Sequence, residues 1–178
     1  TVKGDFTTPK RSVPVQITAT DDLLMYMVKY DFGSYKAKYF NEDKQDQGIV
    51  IKNGSTVTLT ENGTYTIYAV DSVGNETVKE IKITNIDLKA PDITVKTSNY
   101  YPSNSTIYSS MDVEIDYGDS VTKLYSFDNI NWNTYNEKFN IDSYSMSQYK
   151  NADGYLVIYA KGTDIAGNES SISETMYS

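Results

Sequence analysis

Apolar and polar positions alternate with a period of two along most of this chain. Val13, Val15, Ile17 and Ala19 alternate with Pro14, Gln16, Thr18 and Thr20, and Met111, Val113 and Ile115 alternate with Asp112, Glu114 and Asp116. Successive side chains of a strand point to opposite faces, so both stretches predict strands with one buried face. Tyr65, Ile67 and Ala69 share one face of a further strand, with Thr66, Tyr68 and Val70 on the other. Ile81 and Ile83 lie together on a strand over residues 77–86. Residues 23–32 are the densest apolar run; Leu and Met favour a helix over 23–29, but β-branched neighbours and Gly33 favour a strand. Asn53-Gly54, between short strands at 49–52 and 56–60, is the strongest hairpin signal in the chain. Later strands are predicted over 92–96, 121–127, 135–141, 155–163 and 170–177. Polar stretches at 41–48 and 97–110 read as loops, 143–152 allows a helical turn, and no long helix is predicted.

One stretch occurs twice. Residues 62–77 read as a turn, a strand, an Asp-x-x-Gly-Asn-Glu turn and a second strand, and 153–170 repeat that plan. Asp71 and Asp164 are 93 positions apart, as are Gly74 and Gly167, and Asn75 and Asn168. A self-match at one fixed spacing predicts two copies of one all-β domain, residues 1–88 and 89–178, with a linker at 85–91. Asp can accept backbone N–H groups of its own turn, while Gly and Asn tolerate positive φ, which gives the motif a structural reading. Calcium is the alternative, because these residues offer hard oxygen ligands; one Asp and one Asn are too few for that ion.

Gly63-x-Tyr65-x-Ile67 compares with a tyrosine corner, in which a strand tyrosine bonds back to the preceding loop. Asp153-x-Tyr155-x-Val157 offers the second copy a similar element, so Tyr65 is expected to fall on Tyr155 or Ile158. With Asp164-Ile165-Ala166-Gly167-Asn168, Asp71-Ser72-Val73-Gly74-Asn75, the joint at 85–91 into Ala90-Pro91, and Tyr125-Ser126-Phe127-Asp128-Asn129, the chain resembles tandem bacterial immunoglobulin-like repeats of surface and secreted proteins. Lys29-Tyr30-Asp31-Phe32-Gly33 is a shortened version of the last element, and residues 35–60 and 97–110 fit the pattern poorly. The resemblance implies two tandem antiparallel β-sandwiches, an extracellular setting, a spacer or interaction role beside other domains of the same polypeptide, and no shared catalytic residues.

Composition narrows the chemistry. The chain has no Cys and no His, which removes disulfides, thiolate nucleophiles and the commonest general base. Its net charge is −8, with no basic stripe for nucleic acid or an anionic lipid surface. No apolar run approaches the roughly 20 residues of a membrane-spanning helix. Carboxylate pairs such as Asp116/Asp119 read as solvated turn residues, since glycosidase chemistry needs two carboxylates across a cleft. Seventeen tyrosines raise the alternative of an adhesin or carbohydrate-binding module, with Tyr100, Tyr101, Tyr108, Tyr144 and Tyr149 as loop candidates for contact with a glycan or host surface protein. Against this, tyrosine is also a large strand residue with a wet hydroxyl.

Overall fold

A computed structural model describes residues 1–41, 47–98 and 110–176. They fold as two compact units, Thr1–Leu88 and Lys89–Ser178, built on four antiparallel sheets. The first unit contains β1 (Val2–Lys3), β2 (Val13–Ile17), β3 (Met25–Phe32), a short helix α1 (Ala37–Asn41), β4 (Ile49–Ile51), β5 (Thr56–Leu59), β6 (Gly63–Asp71) and β7 (Glu76–Ile83). Its sheets run in the orders β1-β2-β5 and β4-β3-β6-β7. The second unit contains β8 (Thr94–Ser98), β9 (Met111–Asp116), β10 (Thr122–Ser126), β11 (Asn133–Thr134), β12 (Phe139–Ile141), the helix α2 (Ser143–Gln148), β13 (Leu156–Thr163) and β14 (Glu169–Met176). Its sheets, β8-β9-β12 and β11-β10-β13-β14, repeat the order of the first unit strand for strand.

In each unit the two sheets share one core. Val13, Val15 and Ile17 of β2 meet Val28 of β3 and Tyr65, Ile67 and Ala69 of β6. Met111, Val113 and Ile115 of β9 meet Ile158 and Ala160 of β13. The alternation in β2 and β9 is therefore the core face, as the period of two requires. The repeat also holds in register. Each pair of the β6–β7 hairpin becomes a pair of the β13–β14 hairpin on adding 93 to both numbers: Gly63↔Ile83 becomes Leu156↔Met176, and Val70↔Glu76 becomes Thr163↔Glu169.

Several elements differ from the sequence expectation. Residues 25–32 form a strand, which excludes the helix weighed for 23–29. The strands flanking Asn53-Gly54 exist, but they do not pair with each other: β4 pairs with β3, and β5 with β2. The turn is a corner between sheets. Asn53 docks it on the end of β2, donating Nδ2–H to Ala19 O and accepting the Ala19 N–H at Oδ1, both at 2.8 Å. Of the strand expected at 135–141 only Phe139–Ile141 forms, as β12; Asn133–Thr134, just before the expected stretch, form β11 in the other sheet. The outer face of β6 is buried as well, with Thr66 and Tyr68 inaccessible. The segment carrying α1 covers it: Phe40 stacks on Tyr68 at 5.0 Å, and Tyr35 N–H donates to Thr66 Oγ1 at 3.0 Å. Burial and the hydrogen bond to Glu76 push the Tyr68 hydroxyl up to about 12. The allowed helical turn is realised as α2, capped by Asp142, whose carboxylate accepts the Ser145 N–H at 2.7 Å.

Ile83 and Ile158 are fully enclosed, one in each core. Removing most of such a side chain leaves a cavity as well as losing burial, so Ile83→Ala or Ile158→Ala is expected to destabilise its own unit by about 2–5 kcal/mol. Urea denaturation, with Trp132 fluorescence reporting the second unit, measures the cost.

Candidate functional site

The repeated polar motif closes a hairpin in each unit. At the end of β6, Asp71 Oδ1 accepts the N–H groups of Val73 (2.9 Å) and Asn75 (2.8 Å), and Oδ2 accepts Asn75 Nδ2–H (2.7 Å). The Asp71 N–H donates to Asn75 O at 3.1 Å, and the Gly74 N–H donates to Asp71 O at 3.3 Å. At the end of β13, Asp164 Oδ1 accepts the Asn168 N–H (2.8 Å) and Oδ2 accepts Asn168 Nδ2–H (3.0 Å). The backbone bonds recur at 3.0 Å from Asp164 N–H to Asn168 O, and at 3.2 Å from Gly167 N–H to Asp164 O. Gly74 and Gly167 take φ of +94° and +91°, a conformation costly for any side chain with a Cβ.

Both aspartates are nearly enclosed, at 2% and 4% exposure. Burial opposes their ionisation, but the donors outweigh it and hold both carboxyls below the usual aspartate range. Asn75 and Asn168 supply the largest of these bonds through side chain and backbone. A carboxylate so held is a weak base at neutral pH. At Asp71 the carboxylate oxygens are directed at three N–H groups, which favours turn closure over cation binding there.

A related turn follows β10 without having been singled out as a site. Asp128 Oδ1 accepts the N–H groups of Ile130 (2.8 Å) and Asn131 (2.7 Å), and Oδ2 accepts Asn131 Nδ2–H (2.7 Å). The Asn131 side-chain bond is the largest influence holding Asp128 well below the usual carboxylate range. The Asp-x-x-Asn spacing was the signal, shorter by one residue than in the other two turns.

The tyrosine corner is present in the first unit: Tyr65 Oη donates to Glu61 O at 2.8 Å. In the second unit the hairpin register decides between the two counterparts expected for Tyr65, Tyr155 and Ile158. The register puts Ile158, not Tyr155, at the place of Tyr65, and Tyr155 precedes β13 with its ring partly exposed. A different buried tyrosine does comparable work there, Tyr117, whose Oη donates to Leu124 O at 2.6 Å.

Tyr100, Tyr101 and Tyr108 lie outside the described residues. Tyr144 is 70% exposed, whereas the Tyr149 ring stacks on Phe127 at 4.5 Å. Five residues apart on and just after one helix, these two do not form a common aromatic face. The first unit holds an exposed aromatic that the sequence did not mark. A β-bulge in β3 between Met25 and Met27 leaves Tyr26 at 71% exposure, beside a groove also lined by Lys29, Phe40, Tyr68 and Asp71. Bulges re-aim side chains in this way, and nothing in the apolar pattern of 23–32 reveals one. Asp116 Oδ1 accepts the Gly118 N–H at 2.9 Å, so one member of the Asp116/Asp119 pair is committed to a turn.

No protein-family model matches the chain, and no curated protein sequence matches it.

Asp71→Ala and Asp164→Ala are expected to lower the melting temperature of their own units, with Asp→Asn costing less because the amide oxygen still accepts. Folding depresses the pKa of both groups, so in acid the unfolded chain binds more protons. Their contribution is complete above the unfolded value of about 3.9 and is lost as pH falls from there through the folded value. Thermal melts of wild type and Asp→Asn between pH 6 and the acid limit should converge as pH falls. Turn closure also predicts that chelator leaves the effect at Asp71 unchanged; chelator sensitivity abolished by Asp71→Asn would point to calcium instead.

Proposed function

We propose that this chain is a non-catalytic structural or interaction module: two tandem immunoglobulin-like antiparallel β-sandwich domains, residues 1–88 and 89–178, of a bacterial cell-surface or secreted protein. In this reading it spaces, orients or presents neighbouring domains of the same polypeptide outside the cell. The observation that carries it is the repeated strand order, three strands and four strands around one core in each unit, with the closing hairpins in the same register. Seven strands in two antiparallel sheets around one core support the immunoglobulin-like reading, which also distributes seven strands over two layers. Absorption of the repeated aspartates into turn closure supports a framework role for the motif. The acidic charge of −8 disfavours nucleic acid as a partner. Among the described residues no helix is long and apolar enough to cross a membrane.

The rival reading, an adhesin or carbohydrate-binding module, draws on exposed Tyr144 of the second unit and on Tyr26 beside its groove in the first. A glycan array and titration with host matrix proteins separate the two. The module reading predicts no saturable binding by the whole chain. Saturable binding that is lost in Tyr26→Ala, in Tyr144→Ala or in a Tyr100→Ala/Tyr101→Ala double variant would replace it with the rival.

A further inference from the structure

Glycine follows asparagine twice in this chain, at Asn53-Gly54 and Asn62-Gly63, and both steps lie in the first unit. Residues 89–178 contain no such step. The fold needs glycine at each. Gly54 takes a φ of +84° and Gly63 one of +147°, and a Cβ on Gly63 would stand 2.6 Å from the Phe32 ring. An asparagine before glycine is chemically vulnerable. With no Cβ beside it, the glycine nitrogen is the least shielded backbone nucleophile toward the asparagine Cγ.

Both asparagines are held in the same way. Asn53 Nδ2–H donates to Ala19 O, and Asn53 Oδ1 accepts the Ala19 N–H, both at 2.8 Å. Asn62 Nδ2–H donates to Ile86 O at 2.8 Å, and Asn62 Oδ1 accepts the Ile86 N–H at 2.9 Å. Each side-chain amide thus pairs with the backbone of one distant residue, 34 positions away in the first case and 24 in the second. With both ends of the amide fixed, Cγ cannot turn toward the nitrogen that follows it. At the first step the nucleophile is engaged as well, because the Gly54 N–H donates to Ile17 O at 2.8 Å. All four side-chain bonds lie at the surface, so local opening suffices to release them.

We propose that Asn53 and Asn62 are fold-gated deamidation sites, closed in the native first unit and reactive when it opens. In the open state the glycine nitrogen attacks Asn Cγ and forms the ring bond of a cyclic imide. The Cγ–Nδ2 bond breaks, and the amide leaves as ammonia with the proton lost from the glycine nitrogen. Water then opens the imide at either carbonyl, which leaves aspartate or isoaspartate. No oxidant, metal or enzyme is required. The product cannot close as before. Aspartate at position 53 has no N–H for Ala19 O and sets a charge against that carbonyl, at the corner where the chain changes sheets. Opening of the first unit is thereby recorded irreversibly, and the second unit carries no such record. This holds whether or not the module binds any external ligand.

The test incubates the whole chain in mildly alkaline buffer, native and in urea, and reads each asparagine by peptide mapping, as the mass gain of an amide turned into an acid. Native deamidation at both sites is expected to be slower than in urea by about tenfold or more, in proportion to the open population. It should follow the hydrogen exchange of the Ala19 and Ile86 amides, which share the same openings. Ala19→Pro removes the N–H that holds Asn53, and Ile86→Pro the one that holds Asn62. Each is expected to speed its own site by about fivefold, the worth of one hydrogen bond, and to leave the other unchanged. Asn53→Asp should lower the melting temperature of the first unit by about 5 °C. Native deamidation as fast as in urea overturns the gating, as does a proline variant with wild-type melting that speeds both sites alike. Where a proline variant melts too low to separate the sites, the wild-type comparison with urea decides. An Asn53→Asp chain that melts like wild type overturns the irreversible record.

Discussion

A buried carboxylate is costly unless donors surround it, and in this chain that constraint fixes the closing hairpin of each unit. Asp71 is the last residue of β6 and Asp164 directly follows β13, both enclosed, each held by the asparagine four residues on. The turn cannot slide without stripping those donors. Fixing the turn fixes the pairing of the two strands it joins, and a slip of one residue would exchange their inner and outer faces. Through this anchor Tyr65, Ile67 and Ala69 are held toward one core, and Ile158 and Ala160 toward the other. A hydrophobic pattern alone selects a face; the aspartate selects the register in which that face is presented.

The tyrosines follow from the same economy of packing. With no disulfide available, large rings supply bulk and their hydroxyls tie distant backbone together. Tyr65 reaches Glu61 O, Tyr117 reaches Leu124 O, and Tyr135 Oη accepts the Ile115 N–H at 3.1 Å. Rings also interlock, as Phe32 does edge-on to Tyr65 at 5.1 Å and Tyr125 does stacked on Phe139 at 4.7 Å. Burial holds the Tyr117 hydroxyl well above the ordinary tyrosine range, so it stays a protonated donor across physiological pH. Most of the described tyrosine content is thereby structural, which weakens composition as an argument for sugar binding.

What was legible in the sequence were features set by neighbours along the chain. The alternation in β2 and β9, the strand character of 25–32, and the Asp-x-x-Gly-Asn turns depend on local periodicity or on bonds spanning four residues. What was not legible depends on partners far away. Asn53-Gly54 has hairpin chemistry, yet its side chain bonds Ala19, 34 residues distant, and the chain changes sheets there. The burial of Tyr68 depends on Phe40 arriving from α1. Local spacing left Tyr155 and Ile158 both open as the counterpart of Tyr65; the hairpin register, anchored from its other end at Asp164, assigns that place to Ile158. The bulge at Tyr26 leaves no trace in the apolar pattern, because one inserted residue only shifts the alternation.

The comparison between units separates what the fold requires from what each copy adds. Strand order, hairpin register and the aspartate turn are common to both, so they are explained by folding and carry no information about a ligand. The differences are the covering segment with α1 and the bulge at Tyr26 in the first unit, and α2 with Tyr144 in the second. A bulge of this kind bends its strand and raises the local twist, and here it also turns an aromatic ring outward beside a groove. Under the rival reading, binding specificity belongs with Tyr26 and its groove before it belongs with the repeated motif.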